Sequence, residues 1–149
     1  MRLLLDTHIV VWWLADDKRL SRQADRLISD PHNEVFVSAA SVWEISIKAA
    51  LGRITADPAA IEAALAPSGF VELPITAKHA VQVARLPLYH HDPFDRILIA
   101  QSLVEPMRLL THDDALARYG ELVISVRTKQ RLDRTMTIPV ISDAASAGD

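Results

Sequence analysis

The chain contains no cysteine among its 149 residues. Disulfide frameworks, zinc fingers, iron–sulfur sites and thiol catalysis are therefore excluded. It also lacks a large excess of either charge: 16 Lys and Arg stand against 19 Asp and Glu, a formal net charge of −3. Bulk positive charge is thus not what would draw it to a nucleic acid, although a local grip remains open. Long apolar runs are missing too. Leu3-Leu4-Leu5 is cut off by Asp6, too early for a signal segment, and the stretch from His8 to Leu14 is too short to span a bilayer. The expectation is a cytoplasmic protein with no membrane partner. There is no internal repeat and no linker between domains.

What is present is a globular composition, 50% hydrophobic and 23% charged. A chain of this length fits one domain and should bury roughly 68–70% of its unfolded surface, enough for a core without staples. Residues 1–126 are expected to form that domain. Residues 127–149 read differently: a basic patch from Arg127 to Arg134, then a small and polar ending from Ser142 to Asp149 that should be frayed and partly disordered.

Short continuous apolar runs alternate with helical patterns. Leu3–Leu5, Val35–Val37, Phe70–Leu73, Arg108–Thr111 and Leu122–Val126 read as strands. Between them, helices are expected from His8 to Ala15, from Ser21 through Ile28, from Ser38 or Ser41 through Leu51, after Asp57-Pro58, after Thr76, and from Phe94 to Leu103. A short one runs from Asp113 to Tyr119. Leu86 to Pro93 reads as a loop. Strands that are apolar throughout, each followed by a helix, imply a parallel sheet covered on both faces. The expected fold class is α/β, a three-layer α/β/α sandwich with five parallel strands.

In open α/β sheets ligands bind beyond the carboxyl ends of the strands. Asp6 directly follows the first strand, and Thr111-His112-Asp113 directly follows the fourth. Two more acids sit oddly on helices: Glu44 in a largely apolar context, and Asp95 at a helix start. An isolated buried carboxylate is costly, so several that converge and stay ionised need a cation. Hard oxygen ligands suit Mg²⁺ or Mn²⁺. With no cysteine and no histidine pair at helical spacing, zinc is disfavoured. Each acid also has a structural explanation. Asp6 could cap the first helix, and Asp113 with Asp114 the last one. Glu44 and Lys48 could form an exposed ion pair worth only about 0.3–0.5 kcal/mol. Asp95 suits a helix N-terminus. Their coincidence at one end of the sheet favours a metal site.

These residues resemble the PIN-domain ribonucleases, specifically the VapC-type toxins of bacterial toxin–antitoxin pairs. The resemblance rests on Leu4-Leu5-Asp6-Thr7-His8 with Trp12-Trp13-Leu14, on the segment Ser38 to Lys48 with Gly52, on Leu86-Pro87 and His91 to Gln101, and on Leu110-Thr111-His112-Asp113. The segment Asp92-Pro93-Phe94-Asp95-Arg96 is the most distinctive, and the match spans roughly residues 2 to 126. It implies that Asp6, Glu44, Asp95 and Asp113 are both catalytic residues and metal ligands. It implies hydrolysis of RNA to 5′-phosphate and 3′-hydroxyl ends, a homodimer, and a cognate antitoxin that covers the site. In a two-metal site, one cation activates water and the other stabilises the leaving oxygen, about 3.5–4 Å away. Asp6 and Asp95 are assigned as the most direct ligands.

Thr7 and Thr111 could orient those carboxylates, while Ser38 is better read as a helix cap. Arg96 could touch phosphate or bridge to an acid, and Asp92 could support the site or form the turn before Pro93. His90 and His91 would form a phosphate-facing rim only if partly protonated, and otherwise read as a solvated loop; His8 and His112 abut ligand positions and read as packing or hydrogen-bonding residues. Arg19, Arg22 and Arg26 read as a solvated face of the second helix. The three tryptophans read mainly as core, except that Trp12 and Trp13 cannot both face inward from one helix, which leaves one for a partner surface. A haloacid-dehalogenase-like phosphatase would want an acid where His8 stands. A phospho-accepting receiver would want an acidic pair near the first strand and a late lysine, and neither is evident. A PIN-like module that binds RNA or protein without cutting is the remaining alternative. Residues 1–126 carry a net −4; the four proposed ligands account for that excess, and two divalent ions would neutralise it.

Overall fold

The computed structural model describes residues 1–126. The basic patch 127–134 and the small polar ending Ser142–Asp149 lie outside the described residues. The apolar runs become β1 (Arg2–Leu5), β2 (Glu34–Ser38), β3 (Val71–Leu73), β4 (Arg108–Thr111) and β5 (Val123–Ser125). They pair in parallel in the order β3-β2-β1-β4-β5.

Alternation along the strands divides the interior into two cores. Leu3, Leu5, Val35, Val37 and Leu110 face α1 (Thr7–Leu14), α2 (Arg22–Ser29) and α4 (Pro58–Leu65), through Ile9, Val10, Ala24, Ile28 and Leu65. Leu4, Phe36, Leu73 and Leu109 point to the other face, against Leu98, Ile99 and Ala100 of α6 (Pro93–Val104) and Val83 of α5 (Ala77–Val83). α3 (Ala39–Ala50) packs Ile45 onto Val11 of α1 and Ile54 in a smaller cluster. The result is the three-layer α/β/α sandwich with a five-stranded parallel sheet.

Helix starts follow local chemistry. Ser21, Ser38, Asp57, Thr76 and Asp92 each accept a backbone N–H at the head of the helix that follows, worth about 1 kcal/mol apiece. α3 stops where Gly52 takes a φ of +72°, a left-handed conformation that costs glycine nothing. The last helical segment is a 3-10 turn, Asp114–Tyr119, capped by Asp113. None of the described helices is long and apolar enough to cross a membrane.

The tryptophans correct one expectation. Trp12 is buried, and Trp13 is half-buried against Phe70. Trp43 is the outward one, 59% exposed, with its ring edge-on to Phe94 at 5.1 Å. The reason is helical: Glu44 turns inward, so its neighbour, about 100° around the axis, turns out.

Candidate metal centre

The chain builds β1, β2 and β3 toward one edge, then returns to lay β4 and β5 on the other side of β1. The β1/β4 boundary is therefore the switch point, and the crevice beyond its carboxyl ends is where such sheets bind ligands. Asp6 stands there. It occupies the N-cap position of α1, yet its side chain makes no capping bond. Instead its Oδ2 accepts the Thr111 hydroxyl at 2.6 Å, and its own N–H donates to Leu110 O at 2.9 Å. The same Thr111 oxygen accepts the Asp113 N–H at 3.0 Å. One buried hydroxyl thus orients the Asp6 carboxylate and sets the path of the chain into Asp113.

Asp95 comes from the first turn of α6. Asp92 caps that turn, accepting the N–H groups of Phe94 and Asp95 at 2.8 and 3.2 Å. Asp95 Oδ2 lies 2.6 Å from His90 Nε2. Asp113 Oδ1 accepts the Ala115 N–H at 2.9 Å. Candidate ligand atoms of His90, Asp95 and Asp113 all lie within 4.8 Å of one another, and a second such group is formed by Asp6, His8 and His112.

The two groups share a field. Burial, then the negative charges of Asp6 and Asp92, push the Asp95 carboxyl up to about 7, against the opposing pull of His90. Burial likewise lowers the His8 imidazole below its usual range, with the nearby Asp6 and Glu44 resisting. Glu44 is buried on α3 and belongs to neither group of three; its Oε2 lies 2.9 Å from Lys48 Nζ. The helical ion pair expected of it exists, but its carboxylate is inside the fold.

Other residues take different roles from those expected. Arg96 neither reaches an acid nor faces solvent. It is buried and donates to the carbonyls of Val83, Pro87 and His90 and to the Tyr119 hydroxyl, at 3.0–3.3 Å. It pins the loop that carries His90. Thr7 gives its hydroxyl to Ser41 Oγ at 2.9 Å, joining α1 to α3. Arg19 precedes α2, pairs with Asp17 at 2.7 Å and lies over the Trp12 ring.

A divalent cation fits this crevice. The donors are carboxylate oxygens with imidazole nitrogens beside them, and burial, followed by the negative charge that accumulates from Asp6 and Asp92, pushes the Asp95 carboxyl up to about 7. The nearest guanidinium in sequence, Arg96, does not relieve that accumulation. The sequence suggests packing, hydrogen-bonding or loop roles for His8, His90 and His112, and the structure brings all three into these groups. The available signal was adjacency: His8 follows Asp6 by two residues, and His112 precedes Asp113. Spacing along one helix could not reveal it, because the groups assemble from separate elements.

The model of the PIN domain matches residues 3–122. The chain belongs to the PIN-domain family. Among curated relatives of this PIN domain, Ribonuclease VapC22 of Mycobacterium tuberculosis is 32% identical over 116 residues, covering 76% of the chain and 88% of that protein. VapBC2 from Rickettsia felis, solved with a promoter DNA fragment, superposes with a TM-score of 0.62 at 14% identity, over 87% of this chain and 100% of that one. A toxin–antitoxin complex from Klebsiella pneumoniae gives 0.58 at 19% identity, over 83% and 96%. FitAB bound to a DNA fragment gives 0.58 at 20% identity, over 83% and 94%. The structures share the fold. This PIN domain is a homologue of the VapC toxins, and its clustered acids and imidazoles are consistent with a metal-dependent nuclease active site.

Proposed function

We propose that the protein is a metal-dependent endoribonuclease, the toxin of a toxin–antitoxin pair, which hydrolyses RNA phosphodiester bonds with Mg²⁺ or Mn²⁺ held by Asp6, Glu44, Asp95 and Asp113. The observation that carries this reading is the gathering of Asp6, Asp95 and Asp113 beyond the β1/β4 switch point, where burial and then the charges of Asp6 and Asp92 raise the Asp95 carboxyl. The similarity to a ribonuclease supports RNA as the substrate class.

A phosphodiester is anionic, and bare carboxylates would repel it. The divalent cations supply charge neutralisation, an activated water and stabilisation of the leaving oxygen. The protein's part is positional. Thr111 fixes the Asp6 carboxylate. The Arg96-pinned loop presents His90 to Asp95. Glu44 adds its charge from α3 and is steadied by Lys48.

The likeness to VapC toxins supports a cognate antitoxin as partner, and the proposal extends to a homodimer. Beside the site, a groove of about 410 Å³ lined by Trp43, Val83, Pro93, Phe94 and Ile97 offers a protein partner an apolar footing.

The test is RNA cleavage by the purified chain with Mg²⁺ or Mn²⁺ and an EDTA control. Wild type should cut and EDTA should stop it, while Asp6→Asn and Asp95→Asn should remain folded and inactive. Undiminished cleavage by both variants overturns the reading.

A further inference from the structure

The inner half of the crevice carries more than carboxylate. His8 comes from the first turn of α1 and His112 from the residue after β4, and their rings meet edge-on with centroids 4.9 Å apart. Trp12 backs both, with its ring centroid 5.8 Å from His8 and 4.7 Å from His112. One candidate ligand atom from each imidazole and one Asp6 carboxylate oxygen lie within 4.8 Å of one another. The Asp6 carboxylate is already turned by Thr111, the kind of outer contact that orients a metal ligand.

A second observation sets these two apart from the other described histidines, of which only the solvent-exposed His91 also shows no hydrogen bond. His79 engages Thr76, Gln101 and Glu105, His90 engages Asp95 and His32 engages Asp30. His8 and His112 are half-buried beside a carboxylate, yet among the described residues neither ring has a hydrogen-bond partner. Imidazoles held in that way, from two elements and against a tryptophan wall, present nitrogen lone pairs to the crevice.

We propose that Asp6, His8 and His112 form a nitrogen-bearing cation position that takes a first-row transition ion such as Mn²⁺ in preference to Mg²⁺. This rests on the nuclease reading and narrows it, by naming the class of cation at the inner position. The chemistry is that of donor type. Mg²⁺ is hard, keeps its waters and favours oxygen; Mn²⁺ shares those oxygen ligands but, at the weak end of the first-row transition series, still gains more than Mg²⁺ from imidazole nitrogen. An all-carboxylate site would accept Mg²⁺ and Mn²⁺ with little distinction; two imidazoles add a bias that oxygen ligands lack.

The experiment uses the full chain with Mn²⁺ alone and Mg²⁺ alone. Electron spin-echo spectroscopy of bound Mn²⁺ should show nitrogen hyperfine coupling in wild type. The coupling should persist in His90→Gln, which alters only the outer group, and should be lost or sharply reduced in His8→Gln/His112→Gln. Calorimetry should show Mn²⁺ affinity falling at least about tenfold in the double variant, on the scale of lost support around a metal site, with Mg²⁺ affinity moving much less. Absence of nitrogen coupling in wild type, or its complete loss in His90→Gln, overturns the proposal. Equal losses for the two cations in a folded double variant overturn it as well. If the double variant does not fold, wild type and His90→Gln decide alone. Cleavage in Mg²⁺ without nitrogen coupling removes this position and leaves the nuclease reading standing. Nitrogen coupling with no cleavage in either cation does the reverse.

Discussion

Two histidine–carboxylate pairs of nearly equal length sit in very different company. His79 Nε2 lies 2.7 Å from Glu105 Oε2, and His90 Nε2 lies 2.6 Å from Asp95 Oδ2. His79 is fully buried between α5 and α6, and its Nδ1 accepts the Thr76 N–H at 3.0 Å, so Nε2 carries the hydrogen donated to Glu105. One carboxylate faces one imidazole whose ring nitrogens are both engaged. Around His90 the balance is different, with Asp95, Asp113, Asp6 and Asp92 all within electrostatic reach. The first arrangement is complete within the chain and ties two helices together. The second has more negative charge than the chain itself offsets. The contrast separates a polar cluster that holds the fold from one whose composition fits the proposed cation.

The comparison can be broken most severely at the crevice. Asp6→Asn or Asp95→Asn should lower metal-dependent RNA cleavage by more than about 100-fold, since even the outer contacts of a metal ligand are worth about 10–100-fold. Circular dichroism should show both variants folded. Thr111→Val should fall within that smaller range in activity or metal affinity, because it leaves the ligand in place and removes only the hydroxyl that aims it. Retained full activity would show that Asp6 needs no such aiming.

At the other pair the currency is stability. His79→Ala should cost about 2–4 kcal/mol in denaturant unfolding, from the cavity and the stranded partners of the ring. The activity of each folded molecule should be unchanged. An equal loss of activity would erase the distinction between the two pairs.

The smallest effect is one of sign. Asp95 is lifted from 3.8 to about 7 in the folded state. Between those values the folded chain keeps a proton that the unfolded chain has released, so stability should fall as pH rises through the window. Without divalent ions, Asp95→Asn should therefore raise Tm most at pH 8, by about 2–4 °C or more, and have no such effect below about pH 4. A Tm gain independent of pH would show that relief of charge is not its source.

How much of this was legible in advance differs between backbone and side chain. Continuous apolar runs such as Leu3–Leu5 and Leu109–Leu110 announce interior strands, because both of their faces are covered. Once the strands are placed, Asp6 and Asp113 fall at carboxyl ends with no further information. Arg96 shows where that reasoning stops. Its position after Asp95 suggests a partner for phosphate or acid, but its four acceptors come from α5, from the loop before α6 and from Tyr119. No periodicity encodes the path of that loop. Trp43 was obscured differently: a bulky apolar residue reads as core until the orientation of Glu44 beside it is known. The pairing of His8 with His112 depends on the β1/β4 register, and neither segment reveals it alone.

The buried Arg96 has a consequence for how quickly the crevice can work. Its guanidinium is committed to the carbonyls of Val83, Pro87 and His90 and to the Tyr119 hydroxyl, so the cationic group nearest to Asp95 along the chain braces the His90 loop. On the proposed reading, the carboxylates are then left to Lys48, the imidazoles and the incoming cation for their compensation. The same bonds make the His90 loop part of the rigid body. On the proposed reading an incoming ion would meet donors already in place, with the entropic cost of assembling the outer group met in folding.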